Sequence, residues 1–166
     1  MKVILLIISI LLPAISFAEN LSAVNAYDFS FKNVSGEKVD LSKYKGKLVL
    51  LVKDEDFCGF TRGLFALNNL TRLYRDRGLE ILVVSSQESM KKCPGRTNWV
   101  KYPVVVPEGG EFNSWLVSAS SSKGNPTQVL ISPFGNVIEA YNTNPAEDSS
   151  DVRKDIEYNL PEAPVD

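Results

Sequence analysis

The sequence predicts one α/β domain, a central mixed β-sheet flanked by helices, with an N-terminal β-hairpin. Three observations carry that prediction. Two buried-strand signals, the apolar run Leu48 to Val52 and the segment Glu80 to Ser85, enclose a stretch of helical periodicity, the pattern of parallel strands joined by a right-handed crossover. Segments broken by turn residues read as hairpins before and after that crossover. No internal repeat or change of composition divides the chain.

Taken in order, residues 19–26 form a lead-in. Tyr27-Asp28-Phe29-Ser30-Phe31-Lys32 alternates apolar and polar side chains, Val34-Ser35-Gly36-Glu37 turns, and Lys38-Val39-Asp40-Leu41 returns. Ser42 to Lys47 is a polar connection. The five consecutive apolar residues from Leu48 to Val52 suit a central strand covered on both faces. Leu64, Leu67, Leu70, Leu73 and Tyr74 then recur on one helix face, and Gly78 stops the helix, with Arg75 and Arg77 near its negative end. After the strand from Glu80 to Ser85, residues Ser86 to Lys101 read as polar and irregular. Pro103 to Val106 is a short strand. A short helix begins at Trp115-Leu116-Val117 and ends in a loop from Ser118 to Gly124. Gln128 to Ser132 and Asn136 to Tyr141 flank the turn Pro133-Phe134-Gly135. Ser149-Ser150-Asp151 offers an N-cap to a last helix, with Val152, Ile156 and Leu160 on one face and Pro161 at its end.

The first residues read as a cleavable leader. Lys2, an apolar run from Val3 to Leu12, a break at Pro13, and small residues at Ser16 and Ala18 place a cut after Ala18. The run is too short to span a bilayer, and no cysteine follows the cut to carry a lipid. The expectation is a signal peptide over 1–18 and a periplasmic or secreted domain over 19–166. Its core runs from about residue 27 to 160, with no membrane anchor after cleavage. A net charge of −2 without a basic cluster leaves no footprint for nucleic acid. The absence of histidine excludes Ser-His-Asp hydrolases, Cys-His proteases and histidine-ligated metals, and two cysteines are too few for a four-thiolate zinc site. No metal or cofactor is expected. Thiol chemistry, carboxylate chemistry, or binding without catalysis remain.

Cys58 follows the Leu48 to Val52 strand and stands at the mouth of the next helix. The unpaired N–H groups and partial positive charge of a helix N-terminus stabilise a thiolate. Arg62 and Lys53 act in the same direction, whereas Asp54, Glu55 and Asp56 disfavour it. Exposed charges in water interact by about 1 kcal/mol at 4 Å, so the balance turns on where the three acids point. In an exported protein, Cys58 and Cys93 also suit a structural disulfide, which stabilises by roughly 4 kcal/mol in the chain-entropy model.

With these residues in view, the chain resembles the glutathione peroxidase family of the thioredoxin-like superfamily. Tyr27-Asp28-Phe29, Leu41-Ser42-Lys43-Tyr44-Lys45-Gly46-Lys47 and Cys58-Gly59-Phe60-Thr61 match the family's opening. Tyr74-Arg75-Asp76-Arg77-Gly78-Leu79-Glu80-Ile81-Leu82 and Gly135-Asn136-Val137-Ile138 continue it in the same order. The resemblance implies a thioredoxin-like fold with Cys58 as the peroxidatic cysteine, supported by Gly59, Thr61 and Arg62, which attacks a hydroperoxide and becomes a sulfenic acid. It also implies Cys93 as the resolving cysteine, and Gln87 and Asn125 as side chains that hold the reacting atom. The implied partners are a hydroperoxide substrate and a thioredoxin-like protein as reductant.

The chain departs from the family in three places. Gly124 stands where the family carries a tryptophan, for which Trp99 or Trp115 could substitute only by a different route. Pro126 stands in place of a phenylalanine and fits instead the general thioredoxin-like pattern of a cis proline facing the reactive cysteine. The acidic turn from Asp54 to Asp56 replaces a neutral one. Two other readings stay open: a thiol–disulfide exchange protein, although Cys-x-x-Cys is absent, and a non-catalytic thioredoxin-like binding domain with a structural disulfide.

Overall fold

The computed structural model describes residues 24–59, 61–120, 126–143 and 150–161, so the leader over 1–18 and Asn125 lie outside it. An N-terminal hairpin is formed by β1 (Ser30–Asn33) and β2 (Lys38–Asp40). β3 (Leu48–Lys53) leads to α1 (Thr61–Tyr74), and β4 (Leu79–Val84) leads to α2 (Gln87–Lys92). Then come β5 (Val104–Pro107), α3 (Glu111–Ala119), β6 (Gln128–Ile131), β7 (Val137–Tyr141) and α4 (Ser150–Asn159). The strands form one sheet in the order β2-β1-β5-β4-β3-β6-β7. β4 runs parallel to both β3 and β5, whereas the β1–β2, β1–β5, β3–β6 and β6–β7 pairs are antiparallel. The expected mixed sheet and both hairpins are present.

Alternation along the central strands sends side chains to two separate cores. Leu48, Leu50 and Val52 pack with Leu64, Leu67 and Leu70 of α1 and with Val152 and Ile156 of α4. Val49 and Leu51 pack on the opposite face with Phe112, Trp115 and Leu116 of α3. Each fully buried side chain of this kind stabilises the fold by about 1.5–3 kcal/mol. Helices on both faces therefore account for the unbroken apolar run in β3. Gly78 adopts φ +105°, the left-handed conformation that ends the chain's helical course after α1.

Four features differ from expectation. Leu73 is 41% exposed, because a stripe through Leu64, Leu67 and Tyr74 passes through Thr71 instead, which is buried and donates to the Leu67 carbonyl. The first strand begins at Ser30, since Tyr27 lies in a single 3-10 turn capped by the Asn25 side chain. The segment from Ser86 to Lys101 is not irregular: it holds α2 and a 3-10 turn at Arg96–Trp99. α3 starts at Glu111, four residues before Trp115. The N-cap expected at Ser149 lies outside the described residues, and Pro161 follows directly on the last turn of α4.

Candidate active site

Because β3 and β4 are parallel neighbours, in register from Leu48 opposite Leu79 to Lys53 opposite Val84, their chains leave the sheet at the same end. Adjacent strands lie about 4.8 Å apart, so the residues that follow both strands meet. Cys58 lies in the turn after β3, three residues ahead of α1, and Cys93 is the C-cap of α2. The two are joined in a disulfide with their Cα atoms 5.7 Å apart, within the ordinary range for such a bond.

The turn carrying Cys58 is anchored on both sides. Phe57 is fully buried, and its N–H donates to Ser89 Oγ at 2.8 Å. The Asp54 N–H donates to the Val84 carbonyl at 2.9 Å, and the Gly59 N–H to the Asp56 carbonyl at 3.0 Å. Ser89 itself is buried in the first turn of α2, where its N–H is capped by Ser86 Oγ. Cys58 Sγ lies 3.6 Å from the Ser89 carbonyl oxygen. The bonded sulfur carries no proton, but reduction creates an S–H that can donate to this oxygen. Both half-cystines are half-buried.

The three acids point in three directions. Glu55 turns outward to Lys53 Nζ at 2.9 Å, and that hydrogen-bonded cation holds its carboxyl below the usual range. Asp56 is exposed and curls over Gly59, where a Cβ would meet its Oδ2 at 2.3 Å. Asp54 turns inward and is only 7% exposed. Burial pushes its carboxyl up to about 6, against the opposing pull of the bond from the Asp56 N–H and of the Arg96 charge.

The other anticipated residues are placed as follows. The Thr61 hydroxyl accepts from an Arg96 guanidinium nitrogen, tying α1 to the turn after Cys93. Arg62 is exposed on the first turn of α1. Gln87 is the exposed first residue of α2, two positions from Ser89, and residues so spaced do not share a helix face. Gln87 borders a pocket beside Asp54 and Glu55 of the acidic turn, though Cys58 does not line that pocket. It also borders a cleft of about 730 Å³ with Lys32, Met90, Lys91 and Pro94, and Cys58 is not among the lining residues. Pro126 is buried just before β6, sharing a small gap with Phe112 and Leu116 of α3. Trp115 is a core residue whose Nε1 donates to the Val24 carbonyl, while Trp99 is 70% exposed.

Sequence reasoning missed Ser89 and Arg96. The pattern Ser86-Gln87-Glu88-Ser89, with Lys91 and Lys92 closing the turn, is a helix signal that could have revealed α2. Nothing in the sequence distinguishes an inward Asp54 from its two solvated neighbours.

A model of the glutathione peroxidase family matches residues 26–125. A "Probable phospholipid hydroperoxide glutathione peroxidase" of Helianthus annuus is 32% identical over 151 residues, spanning 76% of this chain and 84% of the relative. A glutathione peroxidase of Lactococcus lactis subsp. cremoris is 30% identical over 155 residues, spanning 79% of this chain and 99% of the relative. The crystal structure of Trgpx in apo form matches with a TM-score of 0.64 at 22% identity, over 82% of this chain and 96% of that one. That likeness speaks for the fold, which is thioredoxin-like.

Proposed function

Because the chain belongs to the glutathione peroxidase family, we propose that it is a thiol peroxidase in which Cys58 attacks the substrate and Cys93 resolves the product. The Cys58 thiolate attacks the terminal oxygen of a hydroperoxide; the O–O bond breaks, the cysteine becomes a sulfenic acid, and the departing alkoxide (or hydroxide) takes a proton from solvent to leave as an alcohol (or water). The Cys93 thiol then condenses with the sulfenic acid, releasing water and forming the disulfide. Two electrons from an external dithiol restore both thiols. The observation that carries this reading is the Cys58–Cys93 bond itself, spanning the turn after β3 and the end of α2.

An internal resolving thiol does the work that a first reducing molecule would otherwise do, so the species to be recycled is a protein disulfide. A thioredoxin-like dithiol protein fits that product. With the leader over 1–18, the enzyme would act in the periplasm or outside the cell, with a reductant of the same compartment. Gln87 and Asn125 are assigned on the family pattern to holding the reacting oxygen, a role that requires Gln87 to turn toward Cys58 in the reduced state.

Reduced protein mixed with hydrogen peroxide should consume it stoichiometrically and pass through a sulfenic acid to the disulfide, followed by mass spectrometry. Cys93→Ser should accumulate the sulfenic acid, and Cys58→Ser should consume nothing. Consumption by Cys58→Ser at the wild-type rate would refute the assignment. N-terminal sequencing of the exported protein should begin at Glu19.

A further inference from the structure

Three buried polar atoms near the two cysteine segments have no hydrogen-bond partner among the described residues: Asp54 Oδ2, Arg96 Nε and Tyr102 Oη. Asp54 stands four residues before Cys58 and Arg96 three residues after Cys93, so each segment contributes one charge. Arg96 lies within electrostatic reach of Asp54 and of Tyr102. It also donates to Thr61 Oγ1, three residues beyond Cys58. One guanidinium thus bonds from the Cys93 turn to the residue that opens α1, while the buried Asp54 on the other side of Cys58 feels its charge. Opposed charges in a desolvated setting interact more strongly than at the surface, although for Asp54 the cost of burial outweighs the attraction.

We propose that Asp54 and Arg96 are positioning residues for the resolving cysteine: Asp54 and Thr61 hold Arg96, and Arg96 holds the segment after Cys93 against the Cys58 turn. The reduced Cys93 thiol then stays within reach of Cys58, which raises its effective concentration for disulfide formation. This deepens the reading of Cys58 and Cys93 as a redox pair and rests on it. The charged and titratable groups within electrostatic reach of the Asp54 carboxyl are Asp56 and Glu55 from its own turn, Arg96 from the turn after α2, and Tyr102. Burial above all, and then the two acids, disfavour its charge, while the bond from the Asp56 N–H and the Arg96 charge favour it. At neutral pH the carboxylate is ionised and Arg96 lies in its field without a direct ion pair; as pH falls through about 6 it takes up a proton and that attraction is lost.

The test is the equilibrium of the purified protein with glutathione redox buffers between pH 5 and 8, the dithiol fraction being read by alkylation and mass spectrometry. Corrected for thiol protonation, the wild-type effective concentration should fall on acidification through about pH 6. Arg96→Met and Asp54→Asn should each lower it at pH 7.5 by about tenfold, the scale of one modest polar interaction, and Asp54→Asn should lose the pH step. Arg96→Lys should restore part of the effect. A merely structural role would make the looser variant also the less stable one, whereas Asp54→Asn removes a buried charge and should unfold less readily. Wild-type equilibria in both Arg96→Met and Asp54→Asn overturn the proposal, as does a pH step that persists in Asp54→Asn. The measurement needs no peroxide. A wild type that forms no sulfenic acid therefore sinks the peroxidase reading while this equilibrium still decides the positioning role.

Discussion

Asp54→Asn should make the fold more stable at neutral pH. The ordinary carboxyl value is 3.8, and burial lifts that of Asp54 to about 6. Between those two values the folded chain keeps a proton that the unfolded chain has lost, so stability falls as pH rises through the window. This is the reverse of a salt-bridged carboxylate. At about 1.4 kcal/mol per pH unit, the penalty grows from under about 1 kcal/mol at pH 4 to about 3 kcal/mol above pH 6. Asparagine keeps an oxygen to accept from the Asp56 N–H and matches the neutral acid in shape. Urea unfolding with the disulfide intact, run on both proteins from pH 4 to 8, should show their stabilities diverging by about 3 kcal/mol in favour of the variant. A difference that stays constant with pH, or a variant that is weaker at pH 7, would show that burial does not govern this carboxyl.

Other perturbations follow from the same structure. Reducing the disulfide, which closes a 35-residue separation, should lower the unfolding free energy by about 4 kcal/mol in the chain-entropy model, measured by urea titration with and without dithiothreitol. Ser89→Ala strands the buried Phe57 N–H and should cost about 1–3 kcal/mol by the same titration. Tyr102→Phe removes a buried hydroxyl with no partner among the described residues, so its melting temperature should stay level or rise by a few degrees. Gly135→Ala should cost about 3 kcal/mol: Gly135 sits at φ +87°, and a Cβ there would lie 2.0 Å from Asn25 Oδ1. A loss under about 0.5 kcal/mol would show that the Asn25 side chain yields freely.

The sheet was legible because its signals are local: alternation in the hairpins, an unbroken apolar run in β3, and a left-handed glycine at Gly78. The position of Cys58 followed from the strand before it and the helical stripe after it. Its pairing with Cys93 was readable only as one of several possibilities, because it depends on β3 and β4 being parallel neighbours. α2 escaped notice since its six residues bury only Ser89 and Met90, too few to imprint a period. The burial of Asp54 was invisible for a different reason. Asp54, Glu55 and Asp56 are chemically alike in sequence, and only the bond from the Asp54 N–H to Val84 and the packing of Phe57 decide which one turns inward.

The brevity of α2 matters once the sulfurs part. A helix of six residues has little intrinsic stability in water. This one is pinned at its start by the Ser86 cap and at its end by a covalent link to the Cys58 turn. Cutting that tether frees one end of a segment that has little else to hold it. Amide hydrogens from Met90 to Cys93 should exchange faster in the dithiol protein, while those of β3 and β4 keep their protection. The bond the enzyme would make and break in each turnover is then also the clasp that decides whether this stretch of chain is rigid or loose.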